Sequence, residues 1–385
     1  MSKLDNLGNV LIRSDLNVPI KNGEITDNFR ILKSVEILES ILDKSRTITF
    51  TSHMGRPNGK DLNLSLRPVA ESMSDFLGKE VRFIEEVFGE KVEEQIEKSE
   101  SKIFLLENLR FEKGEIENDN EFSKQITKPF NSYVFDAFGA AHREHASVVS
   151  FGENLESFQG PLMDKEIHEL DRLLNNSESG YAVLLGGAKI SDKLNLIEKL
   201  LPKVEYLMVG GGMCFTLLKA LGHEIGRSLL EESFISKAEE LLNSRFGKKI
   251  ILPTDFGVTE SIDSSVRENV KLDDLKNNHI GVDIGPQTVS NFKKILKKSN
   301  NIFWNGPMGI FEKEAFSYGT KEVTEIISNS FAYTCIGGGD SVSAINKFSD
   351  KKNFNHISTG GGASLEYLEG KKLPGVNIYK PLIIW

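Results

Sequence analysis

Short runs of consecutive apolar and β-branched residues recur along the chain, each halted by a cluster of Gly, Asn, Asp, Ser or His. They fall at positions 10–12, 47–50, 103–106, 133–135, 182–185, 206–209, 250–252, 302–304, 333–336 and 356–358. A run without polar alternation suits a strand buried on both faces. Between the runs lie stretches of helical period, such as 66–77 and 194–201. Strand alternating with helix predicts the α/β class, with parallel sheets covered by helices on both faces. The charged run at 85–102 fits a solvated helix face.

Positions 161–174 place Leu162, Ile167, Leu170, Leu173 and Leu174 at amphipathic-helix spacing, and a polar, turn-rich stretch follows at 175–180. A length of 385 residues suits two domains. The pattern predicts a first domain over 1–160, a connector helix and hinge over 161–180, and a second domain over 181–370.

Composition sharpens this division. Of 33 glycines, 10 lie in 1–175 and 23 in 176–385, whereas 8 of 12 arginines precede residue 151. The net charge of -9 argues against a general nucleic-acid binder, without forbidding a local basic pocket. No apolar run approaches the ~20 residues of a membrane span. The first six residues, Met1 to Asn6, lack a signal-peptide core. These features predict a cytoplasmic protein with no membrane partner. Cys214 and Cys335, the two cysteines, read as buried hydrophobes in strand-like contexts.

In open parallel sheets, ligands bind beyond the carboxyl ends of the strands. In the first half those ends deliver Arg13, Asp15, Asn17 and Arg30, then His53 and Arg56, then Arg110, then His142 and Arg143. Lysine outnumbers arginine 35 to 12, so arginine at each of these places reads as a choice. Its planar fork matches phosphate and carboxylate oxygens. The set predicts a pocket for a small, multiply anionic ligand, with Asp15 and Asn17 accepting from a ligand hydroxyl or holding an arginine fork.

In the second half the ends deliver glycine: Gly186-Gly187-Ala188-Lys189, Gly210-Gly211-Gly212, Asn305-Gly306-Pro307, Gly337-Gly338-Gly339-Asp340-Ser341 and Gly360-Gly361-Gly362. Glycine lets backbone N–H groups approach phosphate closely, which predicts a nucleotide bed. The dinucleotide fingerprint fails because Val342 and Leu365 stand where glycine is needed. The P-loop fails too: Gly55 to Asp61 is one residue short and lacks the hydroxyl. Lys189 and Lys193 are four apart, on one face of a helix expected to open at Ala188, with a polyphosphate between their ammoniums. Asp340 is a plausible Mg²⁺ carboxylate.

The ordered motifs resemble one family, the phosphoglycerate kinases, over nearly the whole chain. They are Arg13-Ser14-Asp15-Leu16-Asn17-Val18-Pro19, Ser52-His53-Met54-Gly55-Arg56-Pro57, Glu107-Asn108-Leu109-Arg110, Asp136-Ala137-Phe138-Gly139-Ala140-Ala141-His142-Arg143, Trp304-Asn305-Gly306-Pro307 and the glycine loops above. The resemblance implies two Rossmann-like domains joined by a hinge helix, with a tail of about 371–385 packing back on the first. It implies reversible phosphoryl transfer between 1,3-bisphosphoglycerate and ADP, giving 3-phosphoglycerate and MgATP, by a cytoplasmic, hinge-closing monomer.

Carried over, Asp15, Asn17, Arg30, His53, Arg56, Arg110 and Arg143 become the phosphoglycerate pocket. Lys189, Lys193, Gly211, Glu312, Gly338, Gly339, Asp340 and Ser341 become the nucleotide side, with Glu312 toward the ribose and Asp340 toward Mg²⁺. Arg30, Lys193, Lys189 and the amides around Gly361 become the groups that stabilise transfer. A kinase of another small acid and a catalytically silent nucleotide-binding homologue stand as alternatives. Leu16, Ala140 and Pro161 depart from the usual residues, and the tail 379–385 is unusually apolar.

Overall fold

The computed structural model describes residues 6–21, 23–175 and 180–382. Most of the turn-rich stretch at 175–180 and the end of the apolar tail, 383–385, lie outside the described residues. The chain divides into two compact units, Met1–His168 with Lys372–Trp385, and Glu169–Lys371. The division falls inside the helix Pro161–Asn175.

The first unit contains β1 (Gly8–Ser14), β2 (Ile20–Lys21), β3 (Glu24–Ile25), β4 (Ser45–Thr51), β5 (Val81–Ile84), β6 (Ile103–Leu106), β7 (Ser132–Asp136) and β8 (Glu156–Gln159). With β18 (Lys380–Pro381) from the tail, seven of them form a sheet in the order β18-β8-β7-β1-β4-β6-β5. Every neighbouring pair in it is parallel, and β2 with β3 makes a small antiparallel hairpin. Val10, Leu11 and Ile12 on β1 are wholly buried, as a continuous apolar run requires.

The tail is held to this unit at several points. The Tyr379 ring stands edge-on to Tyr133 at 5.8 Å, and its hydroxyl donates to the Val148 carbonyl at 2.7 Å. Gly152 leaves the space this ring fills.

The second unit contains β9 (Tyr181–Leu185), β10 (Tyr206–Val209), β11 (Ile250–Ile251), β12 (Asp255–Thr259), β13 (Glu268–Lys271), β14 (Ile280–Ile284), β15 (Asn301–Asn305), β16 (Tyr333–Gly337) and β17 (His356–Ile357). Its main sheet is parallel, in the order β11-β10-β9-β15-β16-β17. A second sheet, β13-β12-β14, is antiparallel and escapes the sequence reading. The physical reason is visible in its residues. β13 reads Glu-Asn-Val-Lys with mostly exposed side chains, and β12 is interrupted by Gly257. Cys335 lies on β16 as expected, but Cys214 opens the helix Cys214–Ala220 rather than a strand; both are buried.

Two helices begin in the same way. Pro161 follows Gly160 and Pro286 follows Gly285, so each helix has glycine where a capping side chain would stand. A carboxylate from a strand does the capping instead. Asp136 accepts from the Leu162 and Met163 amides at 2.8 and 3.1 Å. Asp255 accepts from the Gln287 and Thr288 amides at 2.8 and 2.7 Å. A β-carbon at Gly160 or Gly285 would strike the carboxylate that serves its helix. Removing such a cap costs ~0.5–2 kcal/mol, so Asp255→Ala should lower the urea midpoint of the second unit's unfolding, with secondary structure unchanged. An unshifted midpoint would show that the strand carboxylate does not hold the helix.

Candidate active site

The first unit gathers its predicted residues beyond the ends of β1, β4 and β6. Arg30 sets its guanidinium 3.2 Å from the Asp15 carboxylate and donates to the Asn17 carbonyl at 3.0 Å. Asn17 accepts from the Gly55 amide at 3.0 Å, and the Arg110 guanidinium reaches the Gly55 carbonyl. Asp15, Asn17, Arg30 and Arg110 are therefore joined through one loop, while the adjacent Arg56 is exposed. Arg143 donates to the His142 ring at 3.1 Å.

His53 is buried, and its Nδ1 lies 2.9 Å from an Arg13 Nη2. Burial, with Arg13, Arg143, Arg30 and His145 nearby, holds its pKa well below the ordinary histidine value. An arginine can only donate, so Nδ1 accepts and Nε2 carries the hydrogen. Arg13 itself is an interior residue: it is 1% exposed and donates to Ser147 Oγ at 2.8 Å and to the Ser14 carbonyl. Arg110 differs from it. It is 4% exposed, its guanidinium reaches only the Gly55 carbonyl, and its buried Nε has no hydrogen-bond partner among the described residues. A buried guanidinium with an N–H left unsatisfied has capacity for one more acceptor.

In the second unit the glycine loops divide into two kinds. Gly186, Gly211 and Gly306 are buried against one another: a β-carbon on Gly186 would meet Gly306 and Pro307, on Gly211 would meet Gly187 and Pro307, and on Gly306 would meet Gly186. Gly211 and Gly306 also hold φ of 63° and 92°, which favour glycine. These glycines permit loop-to-loop packing. Gly187, Gly339 and Gly362 have open space where a side chain would stand, leaving their backbone open to approach. Gly338 and Gly361 take φ of 89° and 55° at the starts of the last two glycine-loop helices.

Lys193 is half-buried and its ammonium donates to Asn305 Oδ1 at the end of β15. Burial pulls its pKa down to about 8, against the opposing effect of Asp192, Asp340 and Glu369. Its helix opens at Leu194, not Ala188, so Lys189 and Lys193 share a turn-rich loop rather than a helix face. The Glu231 carboxylate fixes that loop by accepting from the Ser191 amide and hydroxyl at 3.0 and 2.6 Å. Lys189 is exposed above it. Ser341 is buried, and its hydroxyl accepts from the Gly306 amide at 2.7 Å, tying two glycine loops together. Glu312 is exposed on a segment held by Lys347, whose ammonium donates to the Phe311 carbonyl at 2.8 Å.

Asn305 and Asn108, which the sequence reading quotes within motifs without a role, and Glu231, which it leaves out, are positioning groups. Asn108 accepts from the Met54 and Arg110 amides at 3.0 and 3.1 Å, so one amide sets two site loops. A polar residue closing an otherwise apolar strand is the signal for Asn305.

No group of three or more His, Cys, Asp or Glu side chains among the described residues could hold a metal ion. Magnesium needs no such cage when phosphates and water complete its shell. The exposed Asp340 carboxylate, in the first turn of Gly339–Phe348, fits that demand.

The family model for phosphoglycerate kinase matches residues 4–371. Phosphoglycerate kinases from Dictyoglomus turgidum and Salinispora arenicola are 44% and 45% identical, over 96% and 95% of this chain and 94% of each relative. The solved phosphoglycerate kinase of Coxiella burnetii superposes with a TM-score of 0.84 at 36% identity, covering 98% of this chain and 97% of that one. That of Pyrococcus horikoshii OT3 also gives 0.84, at 32% identity, covering 97% and 96%. With a family model matched over nearly its whole length, relatives at 44–45% identity and a shared parallel α/β fold, the chain belongs to the phosphoglycerate kinase family.

Proposed function

We propose that the phosphoglycerate ligand, as 3-phosphoglycerate or 1,3-bisphosphoglycerate, binds at Asp15, Asn17, Arg30, His53, Arg56, Arg110 and Arg143. The adenine nucleotide binds at Lys189, Lys193, Gly211, Glu312, Gly338, Gly339, Asp340 and Ser341, with Mg²⁺ held by Asp340 and the nucleotide phosphates. The reaction is the glycolytic one of the family: phosphoryl transfer between 1,3-bisphosphoglycerate and ADP, with a carboxyl group as acceptor in the reverse direction. The observation that carries the pocket assignment is the buried Arg110 guanidinium whose Nε has no hydrogen-bond partner among the described residues. A coupled assay of 3-phosphoglycerate and ATP turnover tests the activity directly, and inactivity there with turnover of another acid would redirect the reading.

The chemistry follows from charge. The acceptor carboxylate has a pKa near ~3.5–4, so at neutral pH it needs no general base. The obstacle is repulsion between an anionic nucleophile and an anionic phosphoryl group. Positioning and neutralisation must lower it. Arg30 and Lys193 supply cationic donors, Lys189 adds charge at the loop, and the amides around Gly361 offer uncharged donors. Magnesium, when bound, neutralises phosphate oxygens.

His53, kept neutral, donates through Nε2 rather than adding charge. Asp15 holds the Arg30 fork ready before ligand arrives, which limits the ordering cost of binding. Because the two ligand sets belong to separate units, we propose that turnover includes a hinge-closing step. As the family resemblance implies, the enzyme acts as a cytoplasmic monomer without membrane partners; the net charge of -9 supports the reading that nucleic acid is not a partner.

Losing a donor from a water-excluded transfer site costs ~10²–10³ in turnover. Lys193→Ala and Arg30→Ala should each lose that much with little change in thermal stability, and near-normal kcat in either would remove its assigned role. Lysine is charged below its pKa, so kcat/KM for nucleotide should decline as pH rises through about 8. Lys193→Arg should abolish that alkaline limb; a limb that persists unchanged belongs to another group. Solution scattering should show compaction only with both ligands bound, and an unchanged radius of gyration would count against closure.

A further inference from the structure

Asp283, on β14, is a buried carboxylate that phosphoryl transfer does not use. Its Oδ2 accepts from the Gly319 amide at 2.6 Å, in the first turn of the helix Tyr318–Ser328. Arg267 lies 3.5 Å from the same oxygen, donates to the Ile284 carbonyl at 3.0 Å and places its guanidinium 5.2 Å from the Tyr318 ring centroid. Gly257 is the space this guanidinium occupies: a β-carbon there would strike it. Burial lifts the Asp283 pKa to about 7, against the pull of Arg267 and the donated amides.

The placement of this carboxylate is what matters. A β-carbon at Gly309 and one at Gly319 would both collide with Asp283 Oδ1, so both residues lie directly against it. The chain leaves Asp283 at Gly309 and returns to it at Gly319. Between them it carries Glu312, the exposed carboxylate assigned to the ribose. Two further bonds fix the departing end: the Ile310 amide donates to the Val282 carbonyl at 2.9 Å, and the Met308 amide donates to Thr320 Oγ1 at 3.0 Å. Asp283 is the acidic side chain that lies against both ends of this segment.

We propose that Asp283, braced by Arg267, is the positioning residue of segment 309–319 and sets nucleotide affinity through the placement of Glu312. This rests on the assignment of Glu312 to the nucleotide. Asp283 touches no substrate; it keeps the two ends of the segment together, so the tip projects from one fixed base. Arg267 offsets part of the cost of burying the charge, and its stacking on Tyr318 holds the returning end.

Steady-state kinetics of Asp283→Asn, Arg267→Gln, Glu312→Ala and the Asp283→Asn/Glu312→Ala double variant separate the possibilities. Arg267→Gln guards against a folding defect in Asp283→Asn, because Arg267 is the more exposed partner. Each of the first two should raise nucleotide KM roughly three- to tenfold, the span of a net hydrogen bond. Saturated kcat and the KM for 3-phosphoglycerate should stay within about twofold, a split that general destabilisation would not produce. The double variant should be no worse than Glu312→Ala alone, because the positioning residue then has nothing left to position. If Glu312→Ala raises nucleotide KM while Asp283→Asn and Arg267→Gln do not, or if the double variant shows the full product of the single effects, the inference is overturned. If Glu312→Ala itself leaves nucleotide KM unchanged, the ribose assignment falls and the proposed route falls with it.

Discussion

Carboxylates on buried strands, aimed at the open amides of helix starts, are the interaction on which both units depend. Asp136, Asp255 and Asp283 each accept from the first turn of a helix. Glu107 plays the same part at Leu66, accepting its amide at 2.9 Å just ahead of Arg67–Leu77. A helix start presents unsatisfied N–H groups and a partial positive charge, and a buried carboxylate needs both. Each element thereby satisfies the other, and the angle between strand and helix becomes fixed by a hydrogen bond rather than by apolar packing alone. The loops that follow these strands inherit that fixity. Asp136 and Asp283 titrate near neutrality because burial outweighs the amide donors.

The same economy separates the two binding edges. In the first unit, charge is distributed by use: Arg13 is spent on Ser14, Ser147 and His53, Arg30 is paired with Asp15, and Arg110 keeps a buried Nε without a partner among the described residues. In the second unit the corresponding division is among glycines, some filling the space between loops and others facing solvent. Phosphoryl transfer between two anions needs cations that the protein has not already neutralised.

Much of this was legible in the sequence. Apolar runs without alternation located ten of the thirteen strands of the parallel sheets among the described residues to within a residue or two, because doubly buried strands tolerate little else; β5, β8 and β18, part-exposed toward the two edges of the first sheet, carry no such run. The strand-end arginines were visible because lysine is so much commoner here. What could not be read was long-range pairing. Nothing near Arg13 announces that Ser147 and His53 will consume its guanidinium, whereas the Arg110 Nε will find no partner among the described residues. The charged strand β13 looks like a loop until β12 pairs with it. Lys189 and Lys193 had helical spacing, yet the Glu231 contact to Ser191 keeps their loop in turns. Side-chain hydrogen bonds of this kind compete with helix formation, and sequence period does not record them.

The packing of Gly186, Gly211 and Gly306 has a consequence for how this edge can vary. The loops after β9, β10 and β15 use one another's backbones as walls. None of the three can accept a larger residue at these points, or change its path, without displacing the other two. Variation at this edge must therefore enter through Gly339 and Gly362, where space is open and φ is ordinary, or through side chains that overhang the loops, because Gly187 has space but a φ of 110°. For evolution and for engineering alike, the edge behaves as a single heritable block, tunable only at its rim.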